Sequence, residues 1–500
     1  MSIAEIILIS SLLPTISGSG AMPVNTPSTE NLFILARELY GRKLVENLEY
    51  SYLSVHEQGG YSEFEQGLAE AYGDLLAPYL REYDRPKIRL GLETVGLGRL
   101  EGSAGKSFLK LFPKLVVDLR GDLRASVTYR IDREVSENSD YDGKNWRGWA
   151  GFVEDASVEF SPDKMSFRFG LERVAWGMGR YGNLLFSKQA MPMTSLGFSY
   201  GSDRIRFESV CGFLSPLKEE LDGRISDPDY FTSQQRYLAA HSLTVRPFEA
   251  LSVSIREAVI YGGPGRRFEP AYAFPLIWYH GYQLNSRIDD NTLVSAAMDY
   301  RYGGRLWVYG ELLIDDLQIE SAGPGDNEPD QIGFLLGGEF YGLFLDGTRI
   351  ALEYARINNW VFNQPRPHNR YINRNIPIGF PDGPDNDILN WELSWWPAEF
   401  ARLAYSGMYQ RVGEGDIDAD WTAPWLDSPG YSESFPTGTV QRAILNGLSL
   451  LVLNKNKVWG KMKIQLTDIE NVGNISSRNK TDREFSLELG YNLPPFGWGF

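Results

Sequence analysis

Side chains suited to binding sugars concentrate in two long segments of the chain, 358–387 and 413–439. A sugar ring presents an apolar C–H face and a hydroxyl edge, so its site needs flat aromatic rings together with Asp, Asn, Arg or His. The first segment offers Trp360, His368, Asn369, Arg370 and Tyr371, and the second offers Asp418, Asp420, Trp421, Trp425 and Tyr431. These residues are candidates for a glycan-binding site. The alternative for each ring is packing within its own loop, or a place in an aromatic girdle at a membrane interface.

Tryptophan usage points to the same loops. Seven of the 13 tryptophans fall in segments that we place outside the predicted strands or at their rim: Trp146, Trp149, Trp176, Trp278, Trp360, Trp421 and Trp425. This distribution favours an aromatic surface built from loops.

Catalysis and metal binding have weaker signals. A glycosidase needs two carboxylates at a defined separation around a cleft, and the candidates are Glu311 with Asp315 and Asp316, or Asp418 with Asp420. Acidic walls are common in aqueous lumens, so we predict a protein that is not an enzyme. The motifs GPDND (383–387) and DADW (418–421) do not match an EF-hand loop. WGMGRYG (176–182) has no following helix to bind phosphate, and we expect neither a metal nor a cofactor.

Composition excludes several classes of protein. The net charge is -16, which argues against nucleic acid as a partner, because that role needs clustered Lys and Arg. No run approaches 18 apolar residues, so a helical membrane protein is excluded apart from a signal sequence. Cys211 is the single cysteine, which rules out an intramolecular disulfide.

The first 86 residues differ from the rest. An apolar run from Ile6 to Leu13, followed by the small residues Ser19 and Ala21, predicts a signal peptide over 1–21, although no basic residue precedes the run. Apolar residues at helical spacing then predict two amphipathic helices, over 26–48 and 62–82. We therefore predict a periplasmic helical segment over 22–86.

From about residue 87 the apolar period changes to two and remains so. DLRASVTYRI (122–131) and MSFRFGLE (165–172) both alternate apolar with polar or small residues. In a membrane barrel the charged face must line the lumen, because a charge on the lipid face is costly. The residues expected to line the lumen are Arg124, Arg130, Arg168, Glu172, Arg305, Glu311, Lys461 and Lys463.

Short and long connections alternate between the predicted strands. Tight turns such as Ser161–Lys164 and Gly303–Gly304 alternate with long linkers at 133–150, 174–192, 214–236, 262–290, 358–387 and 413–439. Eighteen strands result, the first over 87–97, the second over 109–120 and the last over 483–493. An even strand number with short periplasmic turns and long external loops is typical of outer-membrane barrels. We therefore predict an all-β, antiparallel transmembrane barrel over 87–500.

The C-terminal stretch EFSLELGYNLPPFGWGF (484–500) looks like the last strand of such a barrel. Its first half alternates cleanly, but Pro494 and Pro495 interrupt the ladder and shift Phe496, Trp498 and Phe500 out of phase. We expect a bulge or local shift here. The alternative is an aromatic tail at the membrane interface.

Several stretches carry a resemblance to a known family. FRFGLERVAWGMGRYGNLLFSKQAMPMTSLGFSY (167–200), RYLAAHSLTVRPFEALSVSIREAVIYGG (236–263), DDNTLVSAAMDY (289–300), YGELLIDD (309–316) and IPIGFPDGPDND (376–387) resemble the Wzi-type capsule-assembly family. The helical N-terminal segment, the predicted eighteen strands and the terminal Phe500 fit the same family. The resemblance therefore covers nearly all of the mature chain.

The resemblance implies a lectin-like barrel in the bacterial outer membrane that retains capsular polysaccharide or exopolysaccharide at the cell surface. Its implied partners are surface polysaccharide, outer-membrane lipid, lipopolysaccharide and a polysaccharide export machinery. The alternative is a diffusion channel (porin), since an eighteen-stranded barrel is wide enough to hold water. The two hypotheses differ in whether loops and helices close the lumen.

Overall fold

The structure, a computed structural model, describes residues 87–101, 104–119, 122–135, 144–162, 164–202, 204–216, 235–317, 328–428, 431–454 and 458–499. The predicted signal peptide and both predicted N-terminal helices lie outside these ranges, as does Phe500.

Eighteen strands form one closed antiparallel sheet. They are β1 Lys87–Glu101, β2 Ala104–Asp118, β3 Leu123–Asp132, β4 Ala150–Phe160, β5 Met165–Glu172, β6 Met193–Gly201, β7 Ile205–Leu214, β8 Arg236–Phe248, β9 Leu251–Gly262, β10 Asn291–Tyr302, β11 Leu306–Asp316, β12 Gln331–Tyr341, β13 Thr348–Ile357, β16 Asn386–Ala398, β17 Ala401–Val412, β18 Gln441–Asn454, β19 Val458–Glu470 and β20 Lys480–Gly499. Each strand pairs with its neighbours in the chain, and β1 pairs with both β2 and β20. The predicted fold class is confirmed.

The connections carry the remaining elements. A small hairpin, β14 Ile372–Asn373 and β15 Ile376–Pro377, lies between β13 and β16. Three short α-helices are α1 Pro270–Ala273, α2 Tyr279–Ser286 and α3 Pro424–Asp427, and 3-10 turns span Pro367–Asn369 and Val472–Asn474. None of the helices in the described part of the chain is long and apolar enough to cross a membrane.

The two faces of the wall follow the alternation of the sequence. On β11, Trp307, Tyr309 and Leu313 are buried and point inward, whereas Leu312 is 42% exposed and points outward. Successive side chains of a strand point to opposite faces. The outer face therefore forms the apolar band that contacts lipid, and the inner face holds most of the polar and charged side chains.

The tight turns lie at the predicted positions, with one correction to a predicted lumen residue. Arg305 is exposed and lies in the turn between β10 and β11, not on the inner wall. Gly303 and Gly304 both adopt positive φ, at 57° and 64°, so the turn extends through Arg305 and the strand begins at Leu306.

The first hairpin also differs from the prediction. Only two residues separate β1 from β2, because Glu101 pairs with Ala104, whereas the sequence pattern placed the strand ends at 97 and 109. Gly96 and Gly98 resemble loop residues, but their backbones continue the ladder with β2 and with β20. The strict alternation of short and long connections therefore fails at this first connection.

The expected irregularity near the C-terminus is confirmed. Leu92 pairs with Leu493 and Leu90 pairs with Phe496, so Pro494 and Pro495 lie opposite the single residue Gly91. Proline lacks the N–H that a ladder needs, and a bulge leaves both prolines out of the pairing. The ladder resumes after the bulge and closes the barrel down to Gly499.

Candidate functional site

The connection between β5 and β6, residues 173–192, folds back into the barrel. Trp176 is 2% exposed, and Leu184, Leu185 and Phe186 have no exposure. They pack in one apolar cluster with inward residues of the wall, including Trp307 and Tyr309. We call this segment the plug loop.

Two glutamates of the wall hold the plug loop by its backbone. Glu353 on β13 accepts the N–H groups of Arg180 and Tyr181 at 2.6 and 2.9 Å. Glu311 on β11 accepts those of Leu184 and Leu185 at 2.9 and 3.3 Å. Glu311 was predicted to line the lumen, and its side chain does point inward. Each carboxylate satisfies two neighbouring backbone donors, and the pair at Leu184 and Leu185 is fully buried.

The long connection between β13 and β16, residues 358–385, completes this layer. Phe362 stacks on Tyr371 with centroids 5.5 Å apart, and Phe186 of the plug loop meets Tyr371 at 6.2 Å. The Ser187 N–H donates to the Ile378 carbonyl at 2.9 Å. Tyr371 was predicted to contribute to a glycan-binding surface. It has no exposure and belongs to this packed layer instead. The two loops therefore place a layer of buried apolar side chains inside the lumen.

Three tryptophans form a cluster above the packed layer and join two loops, 358–385 and 413–440. Trp360 lies edge-on to Trp421 and Trp425, at centroid distances of 4.9 and 5.3 Å, and those two rings lie 5.7 Å apart. Tyr431 adjoins Trp425 at 6.4 Å. The structure thus brings together the aromatic candidates of both segments. T-shaped contacts of this kind stabilise ring pairs beyond their burial.

Glu433 is the polar centre of the tryptophan cluster, and the sequence pattern did not single it out. Its Oε1 accepts from Trp360 Nε1 at 3.0 Å, from Asn359 Nδ2 at 2.9 Å and from the Tyr431 hydroxyl at 2.8 Å. One carboxylate therefore orients two rings from separate loops. Burial and the neighbouring Glu433 charge raise the pKa of Tyr431 to about 12, so its hydroxyl stays protonated and remains a donor.

A second contact interlocks the same loops. Arg370 is buried and donates to Asn363 Oδ1 at 3.2 Å and to the Ala419 carbonyl at 3.0 Å. Asn363 Nδ2 also donates to the Ala419 carbonyl, at 3.0 Å. Arg370 lies 3.7 Å from Asp418. Arg370 therefore positions the loop that carries Asp418 and presents little surface of its own.

The exposed face of the cluster consists of a ring and two carboxylates. Trp421 is half-buried, whereas Trp360 and Trp425 are only 8% and 4% exposed. Asp418 and Asp420 are exposed beside Trp421 in the chain. The accessible part of the Trp421 indole suits the apolar face of a sugar ring, and the two exposed carboxylates suit its hydroxyl edge. The two buried tryptophans support that face from below.

His368 lies at the side of this assembly. Its ring would lie 2.8 Å from a Cβ atom added to Gly263, so the first residue after β9 has room only for glycine, which adopts φ +97° there. Burial, Arg236 and Arg366 lower the pKa of His368. Arg236 fixes the backbone from His368 to Arg370, because it donates to the carbonyls of these two residues at 2.8 and 2.6 Å.

The other predicted lumen residues point inward and are paired or half-buried. Arg124 contacts Asp118 at 2.7 Å, Arg130 contacts Asp132 at 2.6 Å, and Arg168 contacts Asp155 at 3.0 Å and also pairs with Glu172. Lys461 and Lys463 are half-buried. The charges of β2 to β5 therefore neutralise one another along the inner wall.

The acidic motif GPDND contributes to loop structure. Asp385 accepts from the Gly415 N–H at 2.8 Å and the Thr437 N–H at 3.0 Å, and Asp387 pairs with Arg411. Burial raises the pKa of Asp385, and these hydrogen bonds oppose the shift. Across the described residues, no three His, Cys, Asp or Glu side chains converge as metal ligands.

The closed even-stranded sheet, its apolar outer band and its charged inner wall define a transmembrane β-barrel of the bacterial outer membrane. Two of its loops fold inward and pack against the inner wall. A family model for the capsule assembly protein Wzi matches residues 114–486, and the chain belongs to that family.

Several solved structures align with this chain. The Escherichia coli outer-membrane protein Wzi, described as a carbohydrate-binding β-barrel involved in group 1 capsule assembly, aligns with a TM-score of 0.60 at 12% identity, covering 94% of this chain and 98% of that one. Pseudomonas aeruginosa OccD3 aligns at 0.48 with 10% identity, covering 81% and 91%. Acinetobacter baumannii OccAB4 aligns at 0.47 with 8% identity, covering 83% and 99%. None of the curated proteins matches this sequence.

Proposed function

We propose that this protein binds capsular polysaccharide or exopolysaccharide at its external loops and retains it at the cell surface, without catalysis. The observation that carries the proposal is the half-open Trp421 with Asp418 and Asp420, held on loops that Trp360, Trp425 and Glu433 lock together. Family membership and the description of Escherichia coli Wzi as a carbohydrate-binding barrel support the same function.

The site is Trp421, Asp418, Asp420 and Tyr431 as direct contacts. Trp360, Trp425 and Arg370 act by positioning these contacts, because they are buried. His368 is at the edge of the site. In this arrangement the indole stacks on a sugar ring while the carboxylates accept hydrogen bonds from its hydroxyls.

We propose that the signal peptide predicted over 1–21 directs export and that the helical segment predicted over 22–86 belongs to the periplasmic side; both lie outside the described residues. Surface polysaccharide is the ligand, outer-membrane lipid and lipopolysaccharide surround the wall, and a polysaccharide export machinery delivers the ligand. Nucleic acid is not a partner, because the net charge is -16.

The test is a titration of the purified barrel in detergent with surface polysaccharide from its own source. Trp421→Ala should abolish saturable binding, whereas Trp146→Ala, which removes an equally large and 70% exposed ring from the connection between β3 and β4, should bind like wild type. Absence of binding by wild type, together with stable ion conductance in a planar bilayer, would replace this function by a diffusion channel.

The packed plug layer argues against the channel. Leu184, Leu185, Phe186, Phe362 and Tyr371 have no solvent exposure although they lie inside the barrel. A water-filled pore at this level would leave such side chains wet. Closure of this layer therefore favours a protein that holds its ligand outside the lumen.

A further inference from the structure

One loop lies on the outside of the barrel. Alternate residues of β8 and β9 separate into two clusters: Leu238, Ala240, Ala258 and Ile260 belong to the lumen core, whereas Tyr237, Ala239, Val259 and Tyr261 belong to a second cluster. The second set points outward, toward the lipid side of the wall, yet none of its members is more than 4% exposed. Something other than lipid covers this part of the outer wall.

The cover is the connection between β9 and β10, residues 263–290, with helices α1 and α2. Phe268 stacks against the outward Phe213 of β7 at 6.2 Å. Tyr272 of α1 meets Tyr261 at 5.0 Å. His280 of α2 contacts the outward Thr292 of β10 at 3.2 Å. The loop thus lies across the outer faces of β7 to β10, and we call it the outer-wall loop.

A carboxylate on the outer wall fixes the start of α2. Glu257 points outward from β9 and accepts the N–H groups of Tyr279 and His280, both at 2.9 Å. His241 of β8 points outward beside it, with Nε2 3.4 Å from the carboxylate. Polar and ionisable groups on a lipid-facing wall destabilise a barrel, and α2 removes both from that environment.

Register places this carboxylate in a row that is otherwise apolar. Glu257 pairs with Val294, Val294 with Ile314, and Ile314 with Ile332. The outward column of β12 continues from Ile332 through Phe334, Leu336, Gly338 and Phe340. Along this hydrogen-bonded row, Glu257 is therefore the one outward charge among the apolar side chains of the neighbouring strands.

The uncovered outward residues of β12 span a greater height than those of β9, and the difference is about the thickness of a helix. Successive outward residues are about 7 Å apart along a strand, or about 5 Å along the membrane normal at a tilt of about 40°. The five outward residues of β12 thus span about 20 Å over four intervals, close to the usual height of the apolar band of about 25 Å. On β9 only Leu251, Val253 and Ile255 remain uncovered, and they span about 10 Å over two intervals. The outer-wall loop covers the outward residues of β9 beyond Ile255.

Four large apolar side chains of this loop are exposed. Phe274 is 55% exposed, Leu276 77%, Trp278 65% and Leu284 64%. These side chains point away from the barrel at the level where the wall itself would meet lipid. A tryptophan at this level also fits the preference of indole for the membrane interface.

We propose that the outer-wall loop is inserted in the outer leaflet, where Phe274, Leu276, Trp278 and Leu284 contact lipid acyl chains in place of the barrel wall. The exposed patch is continuous with the apolar band below it, which includes Ile255 at 62% exposure. Continuity with the lipid-facing surface identifies lipid as the occupant. The insertion is independent of whether the protein binds a polysaccharide.

The same loop is attached to the candidate site. Asn369 Nδ2 donates to the Asp289 carbonyl at 3.0 Å, and Arg366 pairs with Asp289 at 3.0 Å. Asn291 Nδ2 in turn donates to the Asn369 carbonyl at 3.1 Å. Insertion of the outer-wall loop therefore fixes the height and orientation of loop 358–385 relative to the membrane.

The test places a nitroxide spin label at Leu276→Cys in a Cys211→Ala background, with the full barrel reconstituted in dioleoylphosphatidylcholine vesicles. Ile255→Cys is the reference for lipid, and Leu426→Cys, a leucine of equal 77% exposure on α3, is the reference for water. Collisions with oxygen and with a water-soluble nickel chelate are compared by power saturation. Heat-modifiable migration on gels confirms that each variant is folded.

We expect the Leu276 label to collide with oxygen more than with nickel, like the label at Ile255, and the Leu426 label to do the reverse. A Leu276 label that collides with nickel as readily as the Leu426 label would overturn the insertion. Dipolar broadening at Leu276 would also overturn it, because it would show a second copy of the chain covering the patch.

Discussion

The indole N–H of Trp360 donates to the carboxylate of Glu433 across 3.0 Å. The two residues are 73 positions apart in the chain, and their contact joins two loops. Trp360 holds a left-handed backbone conformation, with φ 70°, that non-glycine residues rarely adopt. The hydrogen bond and the two neighbouring indoles keep it there. The half-buried ring of Trp421 therefore packs on a tryptophan whose position depends on its hydrogen bond to Glu433.

Glu433→Ala should loosen the tryptophan cluster and weaken polysaccharide binding. It leaves the donors of Trp360, Asn359 and Tyr431 without their acceptor, and an unsatisfied buried donor costs about 1–3 kcal/mol. Glu414→Ala, which alters an exposed carboxylate of the same loop, is the control. Isothermal titration with the polysaccharide checks the result. Equal affinities for both variants would show that Glu433 does not position the site.

Removing the two wall glutamates should open the plug layer. In a Glu311→Ala, Glu353→Ala double variant, four backbone N–H groups of the plug loop lose their acceptors. At about 1–3 kcal/mol for each buried unsatisfied donor, the loop should leave the lumen part of the time.

Conductance in a planar bilayer measures this opening. The double variant should show larger and more frequent conductance steps than wild type. Glu399→Ala, which changes an exposed carboxylate in the tight turn between β16 and β17, should behave like wild type. If the double variant conducts no more than this control, the two glutamates do not keep the lumen closed.

Acidification should weaken loop 358–385 through His368. Burial, Arg236 and Arg366 lower the pKa of His368 in the folded loop, below the usual value of about 6.5. The unfolded loop then binds a proton before the folded loop does. Stability is therefore fully present above about pH 6.5 and is lost as the pH falls toward the lowered pKa.

Hydrogen exchange in segment 360–372 reports this change. Protection factors, corrected for the intrinsic pH dependence of exchange, should fall between about pH 7.5 and about pH 5 in wild type. His368→Gln should show a smaller fall, because no imidazole titrates. Unchanged protection in wild type over this interval would contradict the prediction.

The wall was predictable from sequence because its signals are local. Period-two alternation and turns such as Gly303–Gly304 fix strands and faces over ten residues at a time. Where these signals fail, the cause is also local. Gly96 and Gly98 are residues typical of loops, yet they lie within β1. Arg305 continues the alternating pattern of β11 in sequence, yet the left-handed conformations of Gly303 and Gly304 keep it in the turn.

The site was predictable only in part. The aromatic composition of segments 358–387 and 413–439 identified the loops that meet. Their internal division into buried supports, such as Trp360, and an exposed face, such as Trp421, depends on contacts between distant segments. Glu433 and Glu353 have no local signature for the same reason. Glu257 does have a local signature. The alternation of β9 places this charged residue on the lipid-facing side, where a covering segment is expected.

Gly490 should be the most sensitive glycine at the seam where the last strand meets its neighbours. It pairs with Trp459 of β19, and a Cβ atom added to Gly490 would lie 2.0 Å from Trp459 Cε2. The indole of Trp459 therefore fills the space that a side chain would need. Gly490→Ala should lower the free energy of unfolding by about 1–3 kcal/mol, as overpacking does.

Gly96→Ala is the matched control, because a Cβ atom at Gly96 on the adjoining strand β1 meets nothing within 4 Å. Both substitutions add one methyl group and restrict the unfolded chain equally. Their difference in urea midpoint, followed by heat-modifiable migration in detergent, isolates the contact with Trp459. Gly96→Ala should match or exceed wild type. Equal midpoints for the two variants would mean that the Trp459 ring moves aside at no cost, and that the seam is not tightly packed there.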